Sequence, residues 1–194
     1  VPITISQQNY IRFVPDLSAK KKTALNQIKM SAGLKIFMTF SEHFYPEVLI
    51  LNEYDEDFPY DEKTFYDAAF GKESENHVMG VLLVGEPATP YLNLDEKSVI
   101  ELLLTELDEI FEGKASATYE DHIVQNWSSE PYILGTYTTD IDEKLDQTLR
   151  KVKQPIDDRI FFAGGALDSE EPGTVPGAYR SAVEAVDLVF KMFK

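Results

Sequence analysis

Residues 159–179, which read RIFFAGGALDSEEPGTVPGAY, carry the strongest structural signal in this sequence. A short apolar run ends at Gly164 and Gly165, an acidic loop follows, and a second glycine-rich turn opens a segment with apolar residues at helical spacing. The pattern predicts a buried strand over residues 160–163, a tight turn, and a helix over residues 174–192. Backbone N–H groups at such a turn and helix start can approach an anionic cofactor, because glycine has no side chain.

The composition is that of a folded protein with an acidic surface. The chain has 194 residues, 43% hydrophobic and 27% charged, which is enough to bury a core as one large or two small domains. The formal net charge of −16 excludes nucleic acid as an expected partner, because affinity for phosphates comes mainly from lysine and arginine. The charge is explained either by a solvated surface or by attraction of a cationic substrate such as an amine.

The residue types exclude several kinds of site. The chain has no cysteine, which excludes disulfides, thiolate metal ligands and a cysteine nucleophile. Its three histidines, His43, His77 and His122, lack the spacing of metal ligands, so we predict no metal site. No apolar run approaches the roughly 18 residues of a membrane span, and we expect a cytoplasmic location by default. The start at Val1 shows neither an initiator methionine nor a signal peptide, so we expect the chain to continue a longer protein.

The periodicity of the remaining sequence predicts a mixture of strands and helices. Alternating apolar residues predict strands over residues 1–5, 34–40, 77–84 and 119–127. Capping residues and helical spacing predict helices over residues 19–30 and 96–112, and a short helical or irregular link over residues 145–153. The acidic, aromatic residues 52–62 are predicted to form an exposed loop or irregular hairpin. The mixture indicates the α/β or α+β class.

Four motifs occur in order along the chain. They are FVPDL at residues 13–17 before a lysine-rich helix start, GLKIF at 33–37 followed by an aromatic pair at 44–45, WSSEPY at 127–132 followed by GTYTT at 135–139, and the stretch at 159–179. In this order they resemble the C-terminal portion of the FAD-dependent amine oxidase family, which includes monoamine and polyamine oxidases.

The resemblance implies a two-domain flavoprotein that oxidises an amine to an imine, with FAD accepting a hydride and oxygen reoxidising the flavin. Residues 1–10 would end a strand of the FAD domain, residues 11–119 would form a mixed-sheet substrate domain with flanking helices, and residues 120–194 would return to the FAD domain. Because there is no cysteine, the FAD is expected to be noncovalent. The implied partners are an amine substrate, oxygen and an N-terminal FAD-binding half.

The resemblance also implies two catalytic residues. Lys35 would hold a water near flavin N5, although the pattern alone favours a solvated or snorkelling side chain for a lysine on an alternating strand. Tyr137 would form one wall of an aromatic cage for the substrate amine, where a π face suits a cation. A tyrosine after a glycine is also explained as a core or rim residue. The second wall would fall at Thr174, which is not aromatic.

Five residues are implied to contact the flavin, namely Trp127, Gly164, Gly165, Thr174 and Val175. The helix start at Thr174 and Val175 carries about half a positive charge, which would stabilise negative charge at N1 and O2 of the reduced ring. Trp127 is also explained as a core aromatic residue. Gly165 stands where the family usually carries a glutamate near the ribityl and phosphate region, so one polar contact is missing.

The sequence contains no G-x-G-x-x-G, the fingerprint that binds a dinucleotide pyrophosphate. We therefore expect this chain alone to bind FAD poorly and to be inactive. Two alternatives remain open. One is a non-catalytic interaction module derived from the family, and the other is a related flavin desaturase-type oxidoreductase, since such enzymes share the Ala-Gly strand and the terminal helix.

Overall fold

The computed structural model describes residues 1–51, 62–73, 76–138 and 145–192. Its helices are α1 Ile3–Gln7, α2 Ala19–Gln27, α3 Glu96–Ile110, α4 Lys114–Thr118, α5 Leu145–Lys153 and α6 Val175–Met192. Its strands are β1 Gly33–Phe40, β2 Val48–Ile50, β3 Glu62–Asp67, β4 His77–Val84 and β5 Tyr119–Asn126. The predicted class of mixed helices and strands is confirmed. Within the described ranges, no helix is long and apolar enough to cross a bilayer.

Two compact units make up the chain. Residues 32–130 form one, which we call the sheet unit, and residues 1–31 with residues 131–194 form the other, which we call the helix unit. Each has its own hydrophobic core. These units do not coincide with the segments 1–10, 11–119 and 120–194, and a division of flavin and substrate binding at those boundaries stays a prediction.

The sheet unit is built on five strands in the order β2-β3-β4-β1-β5. The pairings between these strands are all antiparallel, rather than mixed in direction as expected. Strand β1, paired on both sides, alternates as predicted, with Leu34, Ile36, Met38 and Phe40 no more than 2% exposed. Helix α3 begins where the Asp95 carboxylate accepts the Ser98 N–H at 2.8 Å, and its residues Val99, Leu103 and Leu107 join the same core.

The helix unit is built around the contact between α2 and α5. Ser18 caps α2 as predicted by accepting the Lys21 N–H at 3.2 Å, and Leu25 and Leu149 are among its most buried residues. Residue Lys21 is 7% exposed, and its ammonium donates to the carbonyl groups of Lys151, Val152 and Gln154 at the end of α5. A cation at a helix C-terminus is favoured by the helix dipole, so Lys21 joins the two helices.

Two predicted strands of the helix unit are wrong. Residues 3–5 of the first predicted strand belong to α1 instead. The Gln7 side chain donates at 2.7 Å to the carbonyls of Leu25 and Ile28 and so holds this helical turn against α2. Residues 160–163 are not a buried strand. Their backbone pairing is one bridge between Ile156 and Ile160, and the side chain of Ile160 is 38% exposed. An apolar run becomes a strand only where a neighbouring strand accepts its ladder of hydrogen bonds.

Candidate functional site

A cavity of about 650 Å³ opens within the helix unit. Its walls come from the N-terminal residues 1–13, from Thr136, Tyr137 and Thr138, from residues 160–167, and from the start of α6. Most of the lining is apolar, including the rings of Phe161 and Phe162. Concave apolar sites with a few polar groups are the usual form of small-molecule and cofactor pockets.

Five of the seven predicted site residues line this one cavity. They are Tyr137, Gly164, Gly165, Thr174 and Val175, which come from three separate stretches of the chain. The other two, Lys35 and Trp127, lie in the sheet unit. Lys35 is half-buried on β1, and half-buried Trp127 follows β5 and donates its backbone N–H to the carbonyl of Gly33 at 3.1 Å.

The glycine turn is held to α6 by backbone and side-chain hydrogen bonds. The hydroxyl of Ser181, 1% exposed, accepts the Gly164 N–H at 2.9 Å and can donate to the carbonyl of Gly164 or of Ala178. Gly173 N–H donates to the Gly165 carbonyl at 3.1 Å. A Cβ at Gly164 would meet no atom within 4 Å, so the turn presents open backbone.

The start of α6 is capped by Thr174. Its hydroxyl accepts the Gly177 N–H at 3.1 Å and donates to the Glu171 carbonyl at 2.8 Å. An α-helix offers no acceptor to the N–H groups of its first turn, and the dipole leaves partial positive charge there. Thr174 therefore serves the helix as a cap, and Val175 follows it with 84% of its surface exposed.

Tyr137 is positioned by its backbone. Its carbonyl accepts the Ser31 N–H at 3.0 Å, and the Thr136 N–H donates to the Ser31 carbonyl at 2.9 Å. Gly173 packs against this segment with φ of +75°, and a Cβ there would stand 3.0 Å from the Thr138 carbonyl oxygen. Glycine is needed at this position because both the conformation and the space exclude a side chain.

The acidic loop before α6 is fastened by Asp168, which is 5% exposed. The Arg180 guanidinium donates to both carboxylate oxygens, at 2.7 and 3.0 Å, and the N–H groups of Glu170 and Glu171 donate to one of them. The hydrogen bonds from Arg180, followed by those from the backbone, lower the pKa of Asp168 to about 2.

Acid is expected to loosen this loop. Because the folded-state pKa of Asp168 lies near 2 and its ordinary value is 3.8, its contribution to stability is full above about pH 4 and is lost as the pH falls towards 2. Asp168→Asn should lower the free energy of unfolding by about 2 kcal/mol at pH 7, and by progressively less below pH 4. Urea unfolding at several pH values measures this, with Asp187→Asn, exposed on α6, as the control. Equal effects of both variants at pH 7 would contradict the role of Asp168.

Two further predictions concern the acidic stretch and metal binding. The acidic residues 52–61 are outside the described residues, and only Glu62 of that stretch is placed, at the start of β3. Across residues 1–51, 62–73, 76–138 and 145–192, no group of three or more His, Cys, Asp or Glu side chains is arranged to hold a metal ion.

Four residues that hold the cavity wall in place, Gly177, Ser181, Asp168 and Arg180, were not assigned that role from the sequence. Gly177 and Ser181 are the buried residues of α6, one turn apart on the face towards the glycine turn. Small residues at this spacing are the available signal, because they let backbone approach a helix closely. Asp168 and Arg180, twelve positions apart, have no periodic relation that could have identified the pair.

The cavity residues fit a flavin ring. The open backbone at Gly164 permits close approach of a flat group, the apolar lining suits an aromatic surface, and the start of α6 suits the electron-rich edge of the reduced ring. The pyrophosphate group has no corresponding binding motif in this chain, because the sequence lacks G-x-G-x-x-G. The fit therefore concerns the ring and not the whole cofactor.

The comparison with protein families identifies the class. Residues 1–190 match the family described as flavin containing amine oxidoreductase, and the chain belongs to this family of flavoprotein oxidoreductases. Membership implies FAD as the cofactor of the full-length protein.

Individual relatives agree with this class. The chain is 27% identical to polyamine oxidase 4 of Oryza sativa subsp. japonica over 187 residues, which cover 96% of this chain and 37% of that protein. It is 26% identical to lysine-specific histone demethylase 2 of Homo sapiens over 195 residues, covering 97% of this chain and 24% of that protein. The chain thus spans well under half the length of these relatives.

Solved structures share the fold. The cyclohexylamine oxidase from Brevibacterium oxydans IH-35A superposes with a TM-score of 0.75 at 16% identity, covering 100% of this chain and 43% of that one. A redesigned putrescine oxidase gives a TM-score of 0.72 at 19% identity, covering 98% of this chain and 42% of that one.

Proposed function

We propose that this chain is the C-terminal part of an FAD-dependent amine oxidase that converts an amine to an imine. The observation that carries the proposal is the convergence of Tyr137, Gly164, Gly165, Thr174 and Val175 on one cavity, in a chain that matches the family over residues 1–190. Noncovalent FAD, when bound, would accept a hydride from the carbon beside the nitrogen and be reoxidised by oxygen.

The residues of this chain have separate tasks in the proposal. The Tyr137 ring offers a π face to the substrate amine, and the start of α6 at Thr174 and Val175 stabilises negative charge on the ring edge. Lys35 holds a water for the reaction, and Trp127 flanks the flavin. Since the Thr174 hydroxyl is engaged by Gly177 and Glu171, this residue acts as a helix cap and supplies no aromatic wall.

An N-terminal FAD-binding half is the proposed partner of the helix unit. Helix α6 exposes an apolar series, Val175, Tyr179, Val183, Val186 and Phe190, each at least 41% exposed. Contiguous apolar surface of this kind is usually covered by protein. The relatives have the length to supply such a cover, because the matched region is only 37% of rice polyamine oxidase 4.

Cofactor binding tests the proposal directly. The chain alone is expected to purify without stoichiometric flavin and to release no peroxide from a panel of mono-, di- and polyamines, because the pyrophosphate contacts are missing. Joined to an FAD-binding half encoded upstream of Val1, it is expected to bind FAD and release peroxide. Gly164→Val in the joined protein should abolish flavin binding by filling the open side of the turn, and Ala117→Val, exposed on α4 and away from the apolar face of α6, is the control.

Each outcome separates the candidates. Stoichiometric yellow flavin in the chain alone would overturn the division of the site between two halves. A start codon directly before Val1 would favour the non-catalytic module. The departures from the family pattern at Gly165 and Thr174 favour the same alternative. Flavin binding without peroxide release from any amine would instead favour a desaturase-type oxidoreductase.

A further inference from the structure

Tyr66 and Lys35 meet across an intervening strand of the sheet unit. Tyr66 lies on β3 and Lys35 on β1, and β4 runs between them. Strands are about 4.8 Å apart, so side chains two strands away from each other are normally separated by the side chain between them. Here the Lys35 Nζ lies 4.4 Å from the centroid of the Tyr66 ring.

Gly80 makes this contact possible. It pairs with Tyr66 on one side and with Phe37 on the other, so the three residues form one row across the sheet. A Cβ built on Gly80 would stand 2.1 Å from the Tyr66 Cζ and 2.4 Å from its hydroxyl oxygen. The ring therefore lies across β4 in the space that any other residue would fill.

The ammonium of Lys35 lies within reach of two rings. Besides Tyr66, the Phe37 ring centroid is 5.9 Å from Nζ, within the range of a cation–π interaction. A free lysine side chain samples many rotamers, and an aromatic face on a rigid sheet limits that freedom. Half-buried Tyr66 and Phe37 thus define where the amine of Lys35 can be.

We propose that Tyr66, lying across Gly80, is a positioning residue for the amine of Lys35. The inference rests on the proposed function only in that Lys35 is the residue assigned to hold the reactive water. It adds two residues, Tyr66 and Gly80, that no motif in the sequence identified. It also assigns a reason for glycine at position 80 within an otherwise apolar strand.

The first test measures the position of Lys35 in this chain, without flavin. Lysines are converted to ¹³C-dimethyl-lysine, and the Lys35 resonance is assigned by its loss in Lys35→Arg. We expect an upfield ring-current shift that Tyr66→Phe retains and Tyr66→Leu removes. Gly80→Ala should also remove it, because the new methyl group displaces the end of the Tyr66 side chain, which can swing away without unfolding the sheet. Ile123→Ala, exposed on the same face, is the control.

The second test measures catalysis in the joined, flavin-loaded protein. Gly80→Ala and Tyr66→Leu should each lower kcat on the order of threefold to thirtyfold with KM nearly unchanged, and Tyr66→Phe should retain activity. The double variant should be no worse than either single variant, because both remove the same contact.

The outcomes separate this inference from the proposed function. A Lys35 resonance unchanged in both Tyr66→Leu and Gly80→Ala overturns the positioning role, as does a large loss of kcat in Lys35→Met with none in the Tyr66 and Gly80 variants. If the resonance responds as expected and Lys35→Met leaves kcat intact, Tyr66 still positions Lys35, and the assigned role of Lys35 fails instead.

Discussion

Replacing Lys21 with methionine is expected to lower the free energy of unfolding of the helix unit by about 2–4 kcal/mol. The variant keeps an unbranched apolar stem and removes the ammonium that donates to three carbonyls at the end of α5. The Val152 carbonyl lies in the buried part of this contact and would be left without that donor. Leaving a buried acceptor unsatisfied costs more than a typical hydrogen bond gains.

The pH dependence gives this prediction a specific signature. Burial lowers the pKa of Lys21 from 10.5 to about 8, so the folded state binds this proton less tightly than the unfolded state does. The free energy of unfolding should therefore rise between about pH 8 and 10.5, by up to roughly 3 kcal/mol, and Lys21→Met should remove that rise. Below about pH 8 Lys21 is protonated in both the folded and the unfolded state, so this gain in the free energy of unfolding is absent.

Urea unfolding at pH 7, 8, 9 and 10 measures both effects. The matched control is Lys20→Met, since Lys20 is the exposed neighbour in the same helix turn. Equal destabilisation by the two variants would show that the buried ammonium does not join the helices. The same pH slope in Lys21→Met and in the unsubstituted chain would show instead that burial does not lower the pKa of Lys21.

Lys21 also explains how two distant sequence motifs reach the same site. It follows the FVPDL motif, and its Nζ lies 4.4 Å from the centroid of the Phe162 ring, which belongs to RIFFAGG and lines the cavity. The first motif thus supports the wall of the cavity through the end of α5. Sequence order revealed that the motifs belong together, but the contact depends on the long-range packing of α2 on α5.

The parts of the fold that sequence predicted correctly are those with a strong local signal. Helices α2 and α3 have side-chain caps at Ser18 and Asp95, and β1 and β4 have clear apolar patterns, so local preferences and burial agree. Strand β2 was missed because it has three residues, and two of them, Val48 and Ile50, are more than half exposed. Such an edge strand is specified by its partner and not by its own periodicity.

The candidate site likewise has parts that the sequence could predict and parts that it could not. The glycine turn and the start of α6 were predictable because one continuous stretch encodes both, and helix geometry follows from capping and spacing. The Lys35, Tyr66 and Gly80 arrangement was not, because it requires the register of three strands that are distant in sequence. The strand prediction for residues 160–163 was wrong for a third reason. Their apolar side chains line the cavity and do not pack in a sheet.

Gly177→Ala is expected to destabilise the helix unit by about 1–3 kcal/mol, as overpacking does, although helix propensity alone predicts a gain of about 1 kcal/mol. A Cβ at Gly177 would stand 2.2 Å from the Glu171 carbonyl oxygen and 3.1 Å from the Asp168 Cβ. Both neighbours belong to the loop that Arg180 fastens, with its guanidinium 2.8 Å from Glu171 Oε2. The loop cannot retreat without losing those hydrogen bonds.

The sign of the effect is what makes the experiment decisive. Ala182→Gly, at an exposed position on the same helix, should cost about 1 kcal/mol through propensity and disturb no neighbour. Gly177→Ala makes the opposite exchange, so destabilisation there can come only from the close approach of the loop. Urea unfolding gives the free energies, and faster exchange of the Gly173 amide, which donates to Gly165, would show that the strain reaches the cavity. A stabilised Gly177→Ala chain would mean that the loop yields easily, and the glycine of the GTVPGA turn would then need another explanation.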